Sequence, residues 1–331
     1  MYLTKILIIF LSLQKIKSLG IPTNNISRIK SLNIIMNNTQ KKDFNNIIPK
    51  TKSFLKLVRY NNILPASFLS FSGAYMASLD RGFPIKSIPN AAITVLVTCY
   101  SMIINDIFDY NVDKINKPNS PLVSGQVKFY EALTLIIIIL KAIDYISKYY
   151  LPNNLQNILQ LMLIIVSLYT PLLKRIPLVK NLTCASVVAF SIFFSGLPTN
   201  NIKLLLIAST YIFLGSLMNE LLLDVEDYKG DKESKIYTIP VIFGINNTLK
   251  LCLNILRFNI LFISTILLSF YNLQTVLPFL IFNIGHYLTL RKKVKYNYVD
   301  YSIRDVVHWS NIPLFFSLIY FCFISKIFLN F

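Results

Sequence analysis

The chain has 331 residues, 54% of them hydrophobic and 15% charged, with a net charge of +18. Soluble domains carry about 25% charged residues, so an ordinary soluble enzyme is excluded and the bilayer is the expected solvent. The basic surplus alone would suit a nucleic-acid binder, but its placement along the chain points elsewhere.

Residues 1–58 hold ten Lys or Arg and a single acid, Asp43. The apolar run from Ile6 to Leu13 behind Lys5 has the length of a signal segment and is too short to span a membrane. Basic, acid-poor, Asn- and Ser-rich sequence of this kind predicts a targeting extension over residues 1–51, ahead of a membrane domain over 52–331. A bipartite leader to a secondary plastid is the expected role, with a mitochondrial inner-membrane protein as the alternative.

A spanning helix needs roughly 20 mainly apolar residues, and nine such stretches follow. They fall at about 62–80, 87–108, 129–147, 155–173, 179–197, 203–223, 247–270, 274–290 and 308–329. The expected fold is all-α, a multi-pass transmembrane bundle with little chain left for a soluble domain. The loops after the second, fourth, sixth and eighth spans hold fifteen Lys or Arg, against four (Arg81, Lys86, Lys148 and Lys203) in the opposite loops. Such asymmetry fixes orientation by the positive-inside rule. It makes membrane lipid, not nucleic acid, the partner of the positive charge.

Cys99, Cys184, Cys252 and Cys322 all lie in apolar segments without metal-ligand spacing and read as small core residues. His286 and His308 are too far apart for a local metal motif.

Of the fifteen acids, nine fall in two windows: Asp106, Asp109 and Asp113, then Glu220, Asp224, Glu226, Asp227, Asp231 and Glu233. Acids at the hydrocarbon boundary are costly and are normally retained for a function. In NDIFDYNVD, residues Asn105, Asp109 and Asp113 are spaced i, i+4, i+8; in DVEDYKGD, residues Asp224, Asp227 and Asp231 are spaced i, i+3, i+7. On helices each set shares one face. Each window ends an even-numbered span on the positive side, so two oxygen-bearing rows are expected to face each other across one cavity. Carboxylate oxygens suit a hard cation, and Mg²⁺ is the usual one where phosphate is also bound. Two rows suggest two ions, able to neutralise a diphosphate as its C–O bond breaks. Taken singly, either window also reads as solvated loop acids or partners of nearby lysines.

At these residues the sequence resembles the UbiA superfamily of intramembrane prenyltransferases, whose motifs are N-D-x-x-D-x-x-x-D and D-x-x-D-x-x-x-D. The likeness continues through Pro118, Pro121, Leu122, Ser124 and Gly125, through the Tyr169–Arg175 segment YTPLLKR, through the TIPVIFG stretch, and at Arg59 and Asn62. It departs from the family at Ser120, where Arg is usual, at Tyr60, where Pro follows the Arg, and more mildly at Ser234 and Lys235.

The resemblance implies nine helices around a central cavity, with the prenyl tail in a lipid-facing tunnel. Asn105, Asp109 and Asp113 would hold one Mg²⁺ and Asp224, Asp227 and Asp231 the other. Lys174, with Arg59, Asn62 and Arg175, would bind the diphosphate, and Tyr169 would contact it or line the tunnel. Glu220 is expected either to serve the acceptor or to pair with Arg59. The expected activity is transfer of a polyprenyl group from its diphosphate to a lipid-soluble, aromatic acceptor of the quinone or tocopherol-precursor type. Alternatives are an isoprenoid cyclase, a geranylgeranylglycerol-phosphate-type ether-lipid transferase and, from another class, a cation transporter.

Overall fold

The protein is described by a computed structural model that covers residues 50–78, 85–198, 202–233, 236–295 and 303–327. Apart from Lys50 and Thr51, the expected targeting extension lies outside the described residues, as do Ser234 and Lys235. The chain divides into two compact units, Met1–Ser53 and Phe54–Phe331. The second contains the helical bundle.

Among the described residues the bundle has nine long helices and no strand. They are α1 (Tyr60–Ala77), α2 (Ile88–Phe108), α4 (Phe129–Tyr150), α5 (Asn153–Tyr169), α6 (Val179–Gly196), α7 (Ile202–Glu226), α10 (Ile245–Phe270), α11 (Leu273–Lys295) and α12 (Ile303–Ile327). Short helices α3 (Tyr110–Asn116), α8 (Tyr228–Glu233) and α9 (Ile239–Phe243) sit between them. Five segments, Ile85–Phe108, Val179–Gly196, Ile202–Glu226, Ile245–Phe270 and Leu273–Lys292, are long and apolar enough to cross a membrane on those grounds alone. Of the rest, α4 carries Glu131, Lys141, Asp144 and Lys148, and α5 has only 17 residues.

Local chemistry sets several boundaries. Pro89 occupies the first turn of α2, where its missing N–H costs nothing. At the start of α4 the Lys128 backbone N–H donates to Glu131 Oε2 at 2.7 Å, one arm of a capping box.

The helices form a closed arrangement: α7 packs on α6 and α10, α6 on α1 and α2, α10 on α11, and α12 closes against both α11 and α1. Close approach of α1 to α6 depends on Gly73, where a Cβ would collide with the backbone carbonyl of Ile192. Small residues let helix backbones meet in a bilayer, where hydrophobic exclusion gives no help between helices. One apolar cluster joins Met76, Ile192, Leu205, Tyr211, Ile263, Phe279 and Phe321. At its centre the Tyr211 hydroxyl donates to Asn283 Oδ1 at 2.8 Å and lies 2.9 Å from Ser317 Oγ, linking α7, α11 and α12. Outward-facing Ile137, Leu161, Phe258, Leu261, Ile281 and Phe323 remain exposed. That is the expected surface where the surrounding solvent is lipid.

Candidate active site

Both acidic motifs interrupt a helix at their middle aspartate. Helix α2 stops at Phe108 and α3 begins at Tyr110, with Asp109 at the junction (φ −82°, ψ 3°). Helix α7 stops at Glu226 and α8 begins at Tyr228, with Asp227 in the turn. The backbone ladder survives both breaks. Asp109 N–H donates to Asn105 O (2.8 Å) and Asp113 N–H to Asp109 O (2.7 Å). Likewise Asp227 N–H donates to Leu223 O (3.0 Å) and Asp231 N–H to Asp227 O (2.9 Å). Backbone bonding of the i to i+4 kind thus continues through both breaks. Each row straddles a helix break, with its first member in the last turn of one helix and its last member in the short helix that follows.

One segment, the connection from α5 into α6, touches both rows. On the first row the Thr170 hydroxyl donates to Asn105 Oδ1, and Lys174 Nζ donates to Asp109 Oδ2 at 2.5 Å. On the second, Lys180 Nζ donates to Asp224 Oδ1 and Asn181 Nδ2 to Asp224 Oδ2 at 2.8 Å. Both carboxylate oxygens of Asp224, which is 2% exposed, therefore have protein donors. Between Lys174 and Lys180 the chain passes through Leu178 at φ 65°. The other non-glycine residue with positive φ among the described residues is Arg59, at 49°. Such strain persists only where the surroundings enforce it, and it concentrates at functional sites.

Arg59 pairs with Asp106, Nη2 to Oδ1 at 2.8 Å. Glu220, the partner considered for it from sequence, lies instead with Cys184, Lys180 and Asp224. Cys184 Sγ is 3.0 Å from the Tyr169 hydroxyl. Asp113 is buried and pairs with Lys117 at 3.5 Å. Asp227 is exposed and Asp231 half-buried, and burial raises the Asp231 carboxyl above its ordinary range. Arg175 is exposed in the turn Leu173–Arg175. Asn62 Nδ2 lies 3.7 Å from Met102 Sδ.

A cavity of about 570 Å³ opens beside the first row. Lys56, Arg59, Asn62, Asp106, Asp113, Lys117 and the 118–121 turn line it.

Thr170, Lys180, Asn181 and Lys56 were not singled out from sequence. Lys180 was legible only as one more cation on the positive side, and no spacing linked it to an aspartate 44 residues away.

Among the described residues no three His, Cys, Asp or Glu side chains converge as a ready-made metal cluster. The donor set nonetheless fits Mg²⁺. Each row offers carboxylate or carboxamide oxygens of the hard type this ion prefers, without imidazole or thiolate. Lysines pair with Asp109 and Asp113 of the first row and with Asp224 of the second, which keeps neighbouring negative charges on separate cations.

Comparison with known proteins agrees with this geometry. The model of the UbiA prenyltransferase family matches residues 66–312. Digeranylgeranylglyceryl phosphate synthase of Sulfurisphaera tokodaii is 34% identical over 202 residues, 60% of this chain and 72% of that protein. The enzyme of the same name from Methanosphaera stadtmanae is 30% identical over 233 residues, 69% and 82% of the two chains. Among solved structures, one of digeranylgeranylglyceryl phosphate synthase in membranes superposes with a TM-score of 0.68 at 22% identity, covering 84% of this chain and 99% of that one. A UbiA homolog from Archaeoglobus fulgidus bound to GPP and Mg²⁺ gives 0.63 at 17% identity, covering 83% and 99%. These structural likenesses establish the fold.

Two sequence-based expectations change. The aromatic, quinone- or tocopherol-type acceptor is overturned, because these relatives are named for a prenylated glyceryl phosphate. They come from archaea and lend no support to a plastid or mitochondrial location. The chain belongs to the UbiA prenyltransferase family and is a multi-pass integral membrane prenyltransferase.

Proposed function

We propose that this protein transfers a geranylgeranyl group from its diphosphate to the free hydroxyl of a glyceryl phosphate that already carries one such chain. The observation that carries the active-site reading is the α5–α6 connection, which grips both acidic rows at once through Lys174 and Lys180. The acceptor reading is supported by the relatives' name, since removing one prenyl group from digeranylgeranylglyceryl phosphate leaves a singly prenylated glyceryl phosphate.

In the reaction the C1–O bond between prenyl chain and diphosphate breaks and a C1–O bond to the glycerol oxygen forms. The hydroxyl proton and inorganic diphosphate are released. Asn105, Asp109 and Asp113 would hold one Mg²⁺ and Asp224, Asp227 and Asp231 a second. When bound, the ions supply positive charge to the leaving diphosphate. Lys174 and Lys180, each paired with an aspartate of one row, would donate to diphosphate oxygens. Tyr169, in contact with Cys184 at 3.0 Å, would contact the diphosphate or line the prenyl tunnel. The surrounding helices exclude water that would otherwise quench an allylic cation.

Purified protein in liposomes, given labelled geranylgeranyl diphosphate, Mg²⁺ and geranylgeranylglyceryl phosphate, should yield the doubly prenylated ether lipid. A cyclic hydrocarbon formed without acceptor would refute the transferase assignment.

A further inference from the structure

The cavity at the start of α1 has three cations in its wall, and two are already committed. Arg59 is held by Asp106 at 2.8 Å, and Lys117 lies 3.5 Å from Asp113. Lys56 differs. Its ammonium donates to the backbone carbonyl of Asn119 at 2.7 Å, a neutral acceptor, and among the described residues no carboxylate pairs with it. An ammonium has three donors, so two remain for a ligand. Asn61, Asn62 and Asn119 add carboxamide groups to the wall, and Ser120 adds a hydroxyl. Two carboxylates and three cations leave the wall with one positive charge in excess, surrounded by neutral donors.

We infer that this cavity is a phosphate-monoester subsite, in which Lys56, with Asn119 and Ser120 of the turn it ties down, holds the headgroup phosphate of the acceptor lipid. The assignment rests on the glyceryl phosphate acceptor proposed above and names the residues that recognise it. Two phosphates are available in principle, that of the acceptor and the diphosphate of the donor. The donor must be reached from both acidic rows, whereas the cavity borders Asp113 of the first row and is lined by no residue of the second. Its volume of about 570 Å³ suits a small polar headgroup with the start of its chain. The cavity wall includes Asp113, the last member of the first acidic row.

The test compares two acceptors, geranylgeranylglyceryl phosphate and the same lipid with a hydroxyl in place of phosphate, in wild type, Lys56→Met and Lys56→Arg. Wild type should prefer the phosphate acceptor by kcat/KM. Lys56→Met should shrink that preference about tenfold, the scale of one charge-assisted hydrogen bond, through acceptor KM, while KM for geranylgeranyl diphosphate stays put. Lys56→Arg should restore much of the preference, which separates loss of charge from a folding defect. Retained preference in Lys56→Met, or a rise in diphosphate KM instead, overturns the subsite. If wild type turns over neither acceptor, the glyceryl phosphate reading falls and the subsite with it.

Discussion

Lys180 and Asp224 form an ion pair across 44 residues of sequence, and Asn181 takes the second oxygen of the same carboxylate. A proposed metal ligand is thus fully satisfied by its own chain, with a lysine occupying the place of a cation. Asp224 and Lys180 are both largely withdrawn from solvent, with side-chain exposures of 3% and 22%. Removing one partner of such a pair leaves an uncompensated charge, and such losses run to about 3–5 kcal/mol.

Lys180→Met should therefore lower the thermal unfolding midpoint in EDTA, and added Mg²⁺ should recover more of it than in wild type. Unfolding followed in detergent with and without Mg²⁺ reads both effects. An equal Mg²⁺ response in the two proteins would separate Lys180 from the metal site.

The aspartates at the two helix breaks should be the least replaceable. Asp109→Asn and Asp227→Asn are each expected to lower kcat about 10²–10³-fold, the scale on which a group stabilising transition-state charge acts. Mg²⁺ titration of initial rates should show the half-saturating concentration rising in both. A variant with unaltered Mg²⁺ dependence would remove its residue from the ligand set.

Lys174 and Arg175 are neighbours in sequence with different surroundings, one on Asp109 and one exposed. Lys174→Met should raise KM for geranylgeranyl diphosphate about tenfold, whereas Arg175→Met should change it by less than about twofold. Steady-state kinetics with the donor varied at saturating acceptor distinguishes them.

Gly73 carries the contact between α1 and α6, and the obstruction there is backbone, which cannot rotate away. Gly73→Leu should cost about 1–3 kcal/mol or more by overpacking. It would appear as a lower unfolding midpoint whether or not Mg²⁺ is present, unlike the Lys180 variant.

Much of the fold was legible because its main signals are one-dimensional. The nine predicted spans correspond to the nine long helices, although only five segments qualify by length and composition alone; α4, with four charges, and α5, with 17 residues, are among those that do not. The charge asymmetry of the loops supported the count as a whole. The acidic rows were legible from spacing, but the breaks at Asp109 and Asp227 were not. A ladder that keeps its i to i+4 bonds through a turn has the same sequence period as an unbroken helix. Lys180, Asn181, Thr170 and Lys56 were illegible for another reason: their partners lie 44, 43, 65 and 63 residues away. Only tertiary packing brings them together. The acceptor was misjudged because the two motifs offer oxygen ligands suited to a cation beside a diphosphate and contain no group that separates an aromatic acceptor from a glyceryl phosphate.

Joint action of the two rows on one diphosphate can be measured without turnover. Binding of an unreactive geranylgeranyl thiolodiphosphate should be followed by calorimetry with Mn²⁺ in place of Mg²⁺, for wild type, Asp109→Ala and Asp227→Ala. Loss of most of the affinity in each single variant is the expected result. Wild-type affinity in either one would mean that its row does not hold the substrate, and the account would fail.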